Sequence, residues 1–428
     1  MFVLFFVGAV FLAHYYLWRR LVRSTTRPGR LRKGLTWALV GLVLLVVATF
    51  VGTRMELGHW LAWPGFLWVA IMFYLVVILA VLEIPRAVAV LVLRRAERGA
   101  VPEPVPVLAG AAAPPEPVAV APGAGSPVEP APVDSGPVAG PVAGPVVSGP
   151  DVVSRRLFLG RTTAMIAGVS ALGTVGYGVT SALGDPVIER VKVTLPKLDS
   201  RLGGLRFAVV SDIHLGPLTG IGHTERIVRM INALEADVVA IVGDLVDGSV
   251  AQLGALAKPL KSLESRYGAY FVTGNHEYFS PEGPQEWIEE LGELGVRSLR
   301  NERVEIKHQG AVLDLAGVND VGGAAVGDGP DFGKALGGRA AGRSTVLLAH
   351  QPIQVAEAAR HGVDLQLSGH THGGQIAPFN LVVKLQQPVV SGLATVEGTQ
   401  VYVTRGAGFW GPPVRVGAPP EITLLELR

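Results

Sequence analysis

Apolar residues fill three long runs within the first hundred positions. Residues 2–18, 35–51 and 60–82 contain no Asp, Glu, Lys or Arg, and each approaches or exceeds the length a helix needs to cross a bilayer. Trp18, Trp60, Trp63 and Trp68 stand at or near the run ends, where amphipathic rings favour the headgroup zone. A fourth charge-free run, from Thr162 to Leu183, is less apolar and rich in Gly and Ala. From about Asp185 the pattern changes to short apolar runs: LRFAVVSD, DVVAIVGD, AYFVTGNHE, STVLLAH and VDLQLSGHTH. Their length and composition predict strands. Between the first two, GHTERIVRMINALEAD places Ile227, Met230, Ile231 and Leu234 at helical spacing. Strands alternating with helices predict a layered α/β domain of roughly 240 residues, large enough for a substantial core.

Polar and basic residues set the orientation of the apolar runs. Arg19, Arg20, Arg23, Arg27, Arg30, Arg32 and Lys33 crowd the first connector, and Arg86, Arg94, Arg95 and Arg98 follow the third run. The positive-inside rule puts both stretches in the cytoplasm. Residues 99–153 are dominated by Pro, Ala, Val and Gly, as in GPVAGPVAGPVVSGP. Such a stretch cannot build a core and reads as a linker. Next, SRRLFLGRTT resembles a twin-arginine export signal, with Gly160 where the usual pattern has lysine. The competing reading is a plain basic juncture before a helix. If the run after it spans the membrane, the remainder of the chain lies outside the cytoplasm, the side that Arg155, Arg156 and Arg161 favour. The expected organisation is three transmembrane helices in 1–98, a linker in 99–153, a twin-arginine-like segment and fourth apolar helix in 154–184, and the α/β domain in 185–428.

Composition removes some chemistries. Of 428 residues 49% are hydrophobic, too many for an ordinary soluble enzyme of this length. A net charge of +2 gives no reason to expect a nucleic-acid partner. The chain has no cysteine, so disulfides and thiolate metal sites are excluded, and nitrogen and oxygen must hold any metal.

Each of the five expected strands ends in a polar cluster. Asp212 and His214 close the first, Asp244 and Asp247 the second, Asn275 and His276 the third, His350 the fourth, and His370 and His372 the fifth. Ligands of layered α/β folds bind where strand carboxyl ends converge. Carboxylate, amide oxygen and imidazole together suit Mn, Fe, Zn, Co or Ni. So many donors exceed one tetrahedral site and match two metals sharing a bridging carboxylate, about 3.5–4 Å apart. The D-x-H spacing of Asp212 and His214, and the spacing of His370 and His372, predict side chains on one face of an extended segment. The neighbouring glycines would supply positive-φ turns and room for a phosphate group. Asp247 reads as an acceptor that orients a ligand, and Glu277 as structural. His223, His308 and His361 fall outside the clusters and are expected at the surface, while His14 and His59 belong to the membrane part.

SDIH, GDLVD, GNHE, LLAH and GHTH, in this order, resemble the signature blocks of the calcineurin-like binuclear metallophosphoesterases. GHTHGGQ and the terminal VYVTRGAGFWGPPVRVGAPPEITLLEL look like a membrane-associated bacterial branch of that superfamily, some members of which cleave the pyrophosphate of UDP-diacylglucosamine on the lipid A pathway. The resemblance implies a four-layer α/β/β/α sandwich. It implies Asp212, His214 and His372 on one divalent metal, Asn275, His350 and His370 on a second (Mn, Fe, Zn or Co), and Asp244 bridging both. His276 would donate a proton to the leaving oxygen or clamp phosphate. Gly248 stands where the protein Ser/Thr phosphatases of this superfamily carry a phosphate-gripping arginine, which argues against that subclass. The function implied is hydrolysis of a phosphodiester or pyrophosphate bond by two-metal activation of water, on a lipid-linked or envelope substrate, at a bacterial inner membrane. Two alternatives stand beside it: a broad phosphodiesterase or phosphatase acting on soluble nucleotides or sugar phosphates, and a non-catalytic membrane scaffold with a metal-binding domain.

Overall fold

Two six-stranded sheets form the centre of the C-terminal domain in a computed structural model that describes residues 2–54, 59–99, 150–280 and 283–428. The expected linker at 99–153 lies almost wholly outside the described residues. In chain order the strands are β1 (Val187–Val193), β2 (Arg206–Val210), β3 (Val238–Val242), β4 (Ala269–Val272), β5 (Val296–Ser298), β6 (Glu302–His308), β7 (Ala311–Gly317), β8 (Thr345–Leu348), β9 (Leu365–Ser368), β10 (Gly392–Val396), β11 (Thr399–Val403) and β12 (Glu421–Leu427). One sheet has the order β1-β12-β2-β3-β4-β5 and the other β10-β11-β9-β8-β7-β6. From β2 to β5, and from β7 through β8 and β9 to β11, neighbouring strands are parallel. Their carboxyl ends therefore point the same way within each sheet, which parallel pairing requires and a hairpin would prevent.

Alternation along the strands builds the layers. Phe207, Val209, Val238, Ala240 and Val242 of one sheet meet Val346, Leu348, Leu365 and Leu367 of the other in a shared core. The alternate residues Ala208, Val210, Val239 and Ile241 face outward. There they meet α5 (Ile221–Asn232), α6 (Val250–Ala257) and α7 (Gln285–Glu293), which supply Ile227, Leu253, Trp287 and Leu291. On the far side α8 (Phe332–Leu336) and α9 (Val355–Arg360) cover β7 and β8 through Phe332, Leu336 and Ala358. The architecture is thus a four-layer α/β/β/α sandwich. His223 and His308 depart from the surface expectation: both are buried, with His223 Nε2 near the Ile213 carbonyl at 3.3 Å and His308 Nδ1 2.9 Å from the Tyr267 hydroxyl.

Ahead of the domain lie α1 (Phe2–Leu17), α2 (Arg30–Arg54), α3 (His59–Gly99) and α4 (Pro150–Leu183). Within them Arg30–Thr53, Trp60–Val88 and Leu157–Leu183 are long and apolar enough to cross a membrane. The 16-residue α1 is shorter and runs directly into a π-helical turn, Trp18–Arg23. Basic segments far apart in sequence meet at one end of this bundle. Arg20 Nε lies 2.6 Å from Glu83, Arg86 lies 2.9 Å from the same carboxylate, and Arg161 Nε donates to the Thr25 carbonyl.

Candidate metal centre

The ends of β2, β3, β4, β8 and β9 deliver every residue of the sequence-derived set to one edge of the sandwich. Asp212, His214, Asp244 and His350 are buried, and His372 nearly so. His372 Nε2 lies 3.1 Å from His214 Nε2 and 3.3 Å from Asp212 Oδ1. On the other side, His350 Nε2 lies 3.2 Å from Asp244 Oδ2, and His370 Nδ1 lies 2.8 Å from Asn275 Oδ1. Asp244 stands between the two groups, with the same Oδ2 3.9 Å from His214 Nε2.

The strand ends are not extended, contrary to the expectation from D-x-H spacing. Asp212, His214, Asp244, His370 and His372 all have φ between 49° and 70°, the left-handed region that costs a non-glycine residue free energy unless the surroundings hold it. The bend turns both side chains of each pair inward at the sheet edge, where a straight strand would carry them past it. The glycines act mainly by letting loops approach one another. A Cβ on Gly274 would lie 2.2 Å from Asp244 Oδ1, and one on Gly369 would lie 1.9 Å from Ser211 Oγ.

Hydrogen bonds fix which ring nitrogens face the centre. His214 Nδ1 and His276 Nδ1 each lie 2.7 Å from the same Asp247 Oδ1. A carboxylate can only accept, so both Nδ1 atoms carry the proton. His350 Nδ1 likewise donates to the Val242 carbonyl at 2.8 Å, which leaves its Nε2 as a buried lone pair without a hydrogen-bond partner among the described residues. It lies 3.2 Å from the Asp244 carboxylate. Two imidazole Nε2 atoms facing each other at 3.1 Å, beside an orphaned Nε2 and buried carboxylates, match what a divalent cation requires. Asp212, His214 and His372, and separately Asp244, His350 and His370, are each close enough to share one ion. The His276 ring is mostly buried. Burial works to lower its pKa, but Asp244 and Asp247 outweigh burial and push it up to about 9.

Three further residues support the site; the sequence marks Glu277 as structural and does not single out Gln375 or Arg415. Glu277 receives backbone N–H groups from two strand ends: Leu245 at 2.8 Å and Asp244 at 3.1 Å after β3, and Gly274 at 2.6 Å after β4. Gln375 donates to the Trp410 and Pro412 carbonyls at 2.9 and 3.1 Å and accepts from Trp410 N. Arg415 is fully buried, donates to the His372 carbonyl at 2.8 Å, and sits 3.1 Å from His372 Nδ1. Glu277 and Gln375 fall within or beside GNHE and GHTHGGQ. Arg415 has only the oddity of a lone cation in an apolar stretch to mark it.

A family model for the calcineurin-like phosphoesterases matches residues 205–374. An uncharacterized metallophosphoesterase of Helicobacter pylori is 40% identical over 262 residues, covering 60% of this chain and 68% of that protein. The chain belongs to the calcineurin-like phosphoesterase family. A second such relative, from Aquifex aeolicus, is 33% identical over 51% of this chain and 83% of its own length. A transmembrane protein with metallophosphoesterase domain from Danio rerio is 39% identical over 277 residues, and this chain spans 63% of that protein's length. The calcineurin-like phosphoesterase domain here thus combines its fold with residues suited to holding metal, and follows helices suited to a membrane.

Proposed function

We propose that this chain is a membrane-anchored, metal-dependent phosphoesterase that hydrolyses a phosphodiester or pyrophosphate bond of a lipid-linked or envelope substrate. In this reading it belongs to the bacterial membrane branch marked by GHTHGGQ. The observation that carries the proposal is the convergence of buried imidazole and carboxylate groups on one edge, with two Nε2 atoms facing each other at 3.1 Å and the His350 Nε2 without a hydrogen-bond partner among the described residues. Asp212, His214 and His372 would hold one divalent cation and Asn275, His350 and His370 a second, with Asp244 shared. Cations bound there supply Lewis acidity, acidify a water molecule and neutralise charge on a phosphoryl group.

The chain's own residues do the rest. Asp247 holds the His214 and His276 rings in one tautomer, so that each presents Nε2. With its pKa raised toward 9, His276 carries a second proton on Nε2 at neutral pH and can pass it to the leaving oxygen. Burial of the ligand set excludes water from everything but the open side of the site.

The test uses the full-length protein in detergent with Mn²⁺, bis(p-nitrophenyl) phosphate and p-nitrophenyl phosphate. The expected result is metal-dependent turnover that favours the diester and falls by at least about a hundredfold in Asp244→Asn and His276→Ala, in line with loss of a bridging ligand and of an acid catalyst. Turnover that survives both substitutions, or none with any divalent metal, counts against the reading.

A further inference from the structure

The open side of the site carries an apolar rim that continues into the helical bundle. Phe279 and Trp410 flank His276, with ring centroids 4.6 and 6.0 Å away, and are 56% and 50% exposed. Gln375 pins the Trp410 loop to the segment after His372. Immediately beyond Trp410, Val414 is buried in a cluster with Ala171 and Val175 of α4, against which Val416 and Ile376 also pack. Arg415 N donates to the Gly178 carbonyl of α4 at 2.9 Å. There is no space for a side chain at Gly178, where a Cβ would lie 2.4 Å from Val414.

This contact fixes the height of the rim. Gly178 lies five residues before the end of α4 at Leu183, roughly 7.5 Å along a helix axis. That distance is comparable to the depth of one headgroup zone, about 5–7 Å. The loop on α4 therefore sits at or below the level where a membrane-crossing α4 emerges. From Ile376 the chain leaves the bundle into α10 (Asn380–Val383) and exposes Phe379, Leu381, Val382 and Leu385, the last at 87%. Lys384 is the sole charge in residues 376–390. Apolar residues with one cation suit an interface with anionic lipid, and Trp410 prefers the same zone. A water-facing role leaves this surface unexplained, since exposed apolar area contiguous with membrane helices marks an interaction site.

We propose that Phe279, Trp410 and the 379–385 segment dock into the leaflet where α4 ends, so that the site opens onto the headgroup plane. The occupant of the rim is lipid. The substrate class this implies is a phosphoester borne by an amphiphile that stays in the leaflet during hydrolysis, an assignment that rests on the phosphoesterase reading above.

The chain has no cysteine, so one introduced thiol labels one place. Leu385→Cys and Lys307→Cys are made in the full chain, spin-labelled and reconstituted in phosphatidylethanolamine/phosphatidylglycerol vesicles. Lys307 is exposed on β6 near the start of β7, at the sandwich edge opposite the site. The label at 385 is expected to collide with oxygen more than with a polar nickel chelate, and the label at 307 the reverse. An aqueous profile at both positions overturns the docking surface. In the same vesicles, hexadecyl p-nitrophenyl phosphate is expected to turn over at least tenfold faster than its soluble methyl analogue, and equal rates overturn the substrate class. A lipid-buried label with neither ester hydrolysed removes the phosphoesterase reading, and the substrate class with it, while the docking surface stands.

Discussion

Glu277 turns both carboxylate oxygens onto backbone N–H groups, and in doing so joins the ends of β3 and β4. Burial, followed by the Asp244 charge, raises its pKa to about 7. Glu277→Gln keeps the shape but replaces one acceptor with an NH₂ group that faces N–H donors. The expected cost is about 2 kcal/mol, a fall in melting temperature of roughly 4–8 °C for a domain of this size. A melt within about 1 °C of the parent would show that the clamp carries little. At this scale the sequence reveals donors better than supports. His370 and His372 stand out because two imidazoles beside glycines have few structural uses. Glu277 reads from the sequence only as structural, and the fold alone shows that it clamps two loops. The left-handed φ of Asp212 and His214 is also hidden, because no local signal separates a D-x-H strand from a D-x-H bend.

At the level of elements, the five site-bearing strands β2, β3, β4, β8 and β9 were legible from short apolar runs and the order of their polar ends, whereas the other strands carried no such ends to mark them. The way β12 enters between β1 and β2 was not legible, since that placement depends on pairing across more than two hundred residues. Helix α4 is the element with most to test. Its start meets the basic connector through Arg161 and Thr25, and its far end meets the catalytic domain through Gly178 and Arg415. We propose, from the positive-inside rule, that the C-terminal domain lies outside the cytoplasm and that Arg155 and Arg156 export it in folded form. With Arg155→Lys and Arg156→Lys together, protease added to intact spheroplasts should no longer reach the domain that it cleaves in the parent. Unchanged cleavage from outside would sink the export role.

For the molecule as a whole, two designs meet in one contact. A sandwich that places metal-suited donors at a sheet edge is joined, through the Trp410–Val416 loop, to helices suited to a membrane. His372 connects the two, because the buried Arg415 beside it belongs to the same loop that lies on α4. Everything proposed about function depends on that edge holding metal. The most direct measurement is the metal content of full-length protein loaded with Mn²⁺ and freed of excess by gel filtration. Two equivalents per chain are expected in the parent and fewer than one in Asp244→Asn, with unchanged circular dichroism in both. A folded parent protein that retains no metal would contradict the proposal.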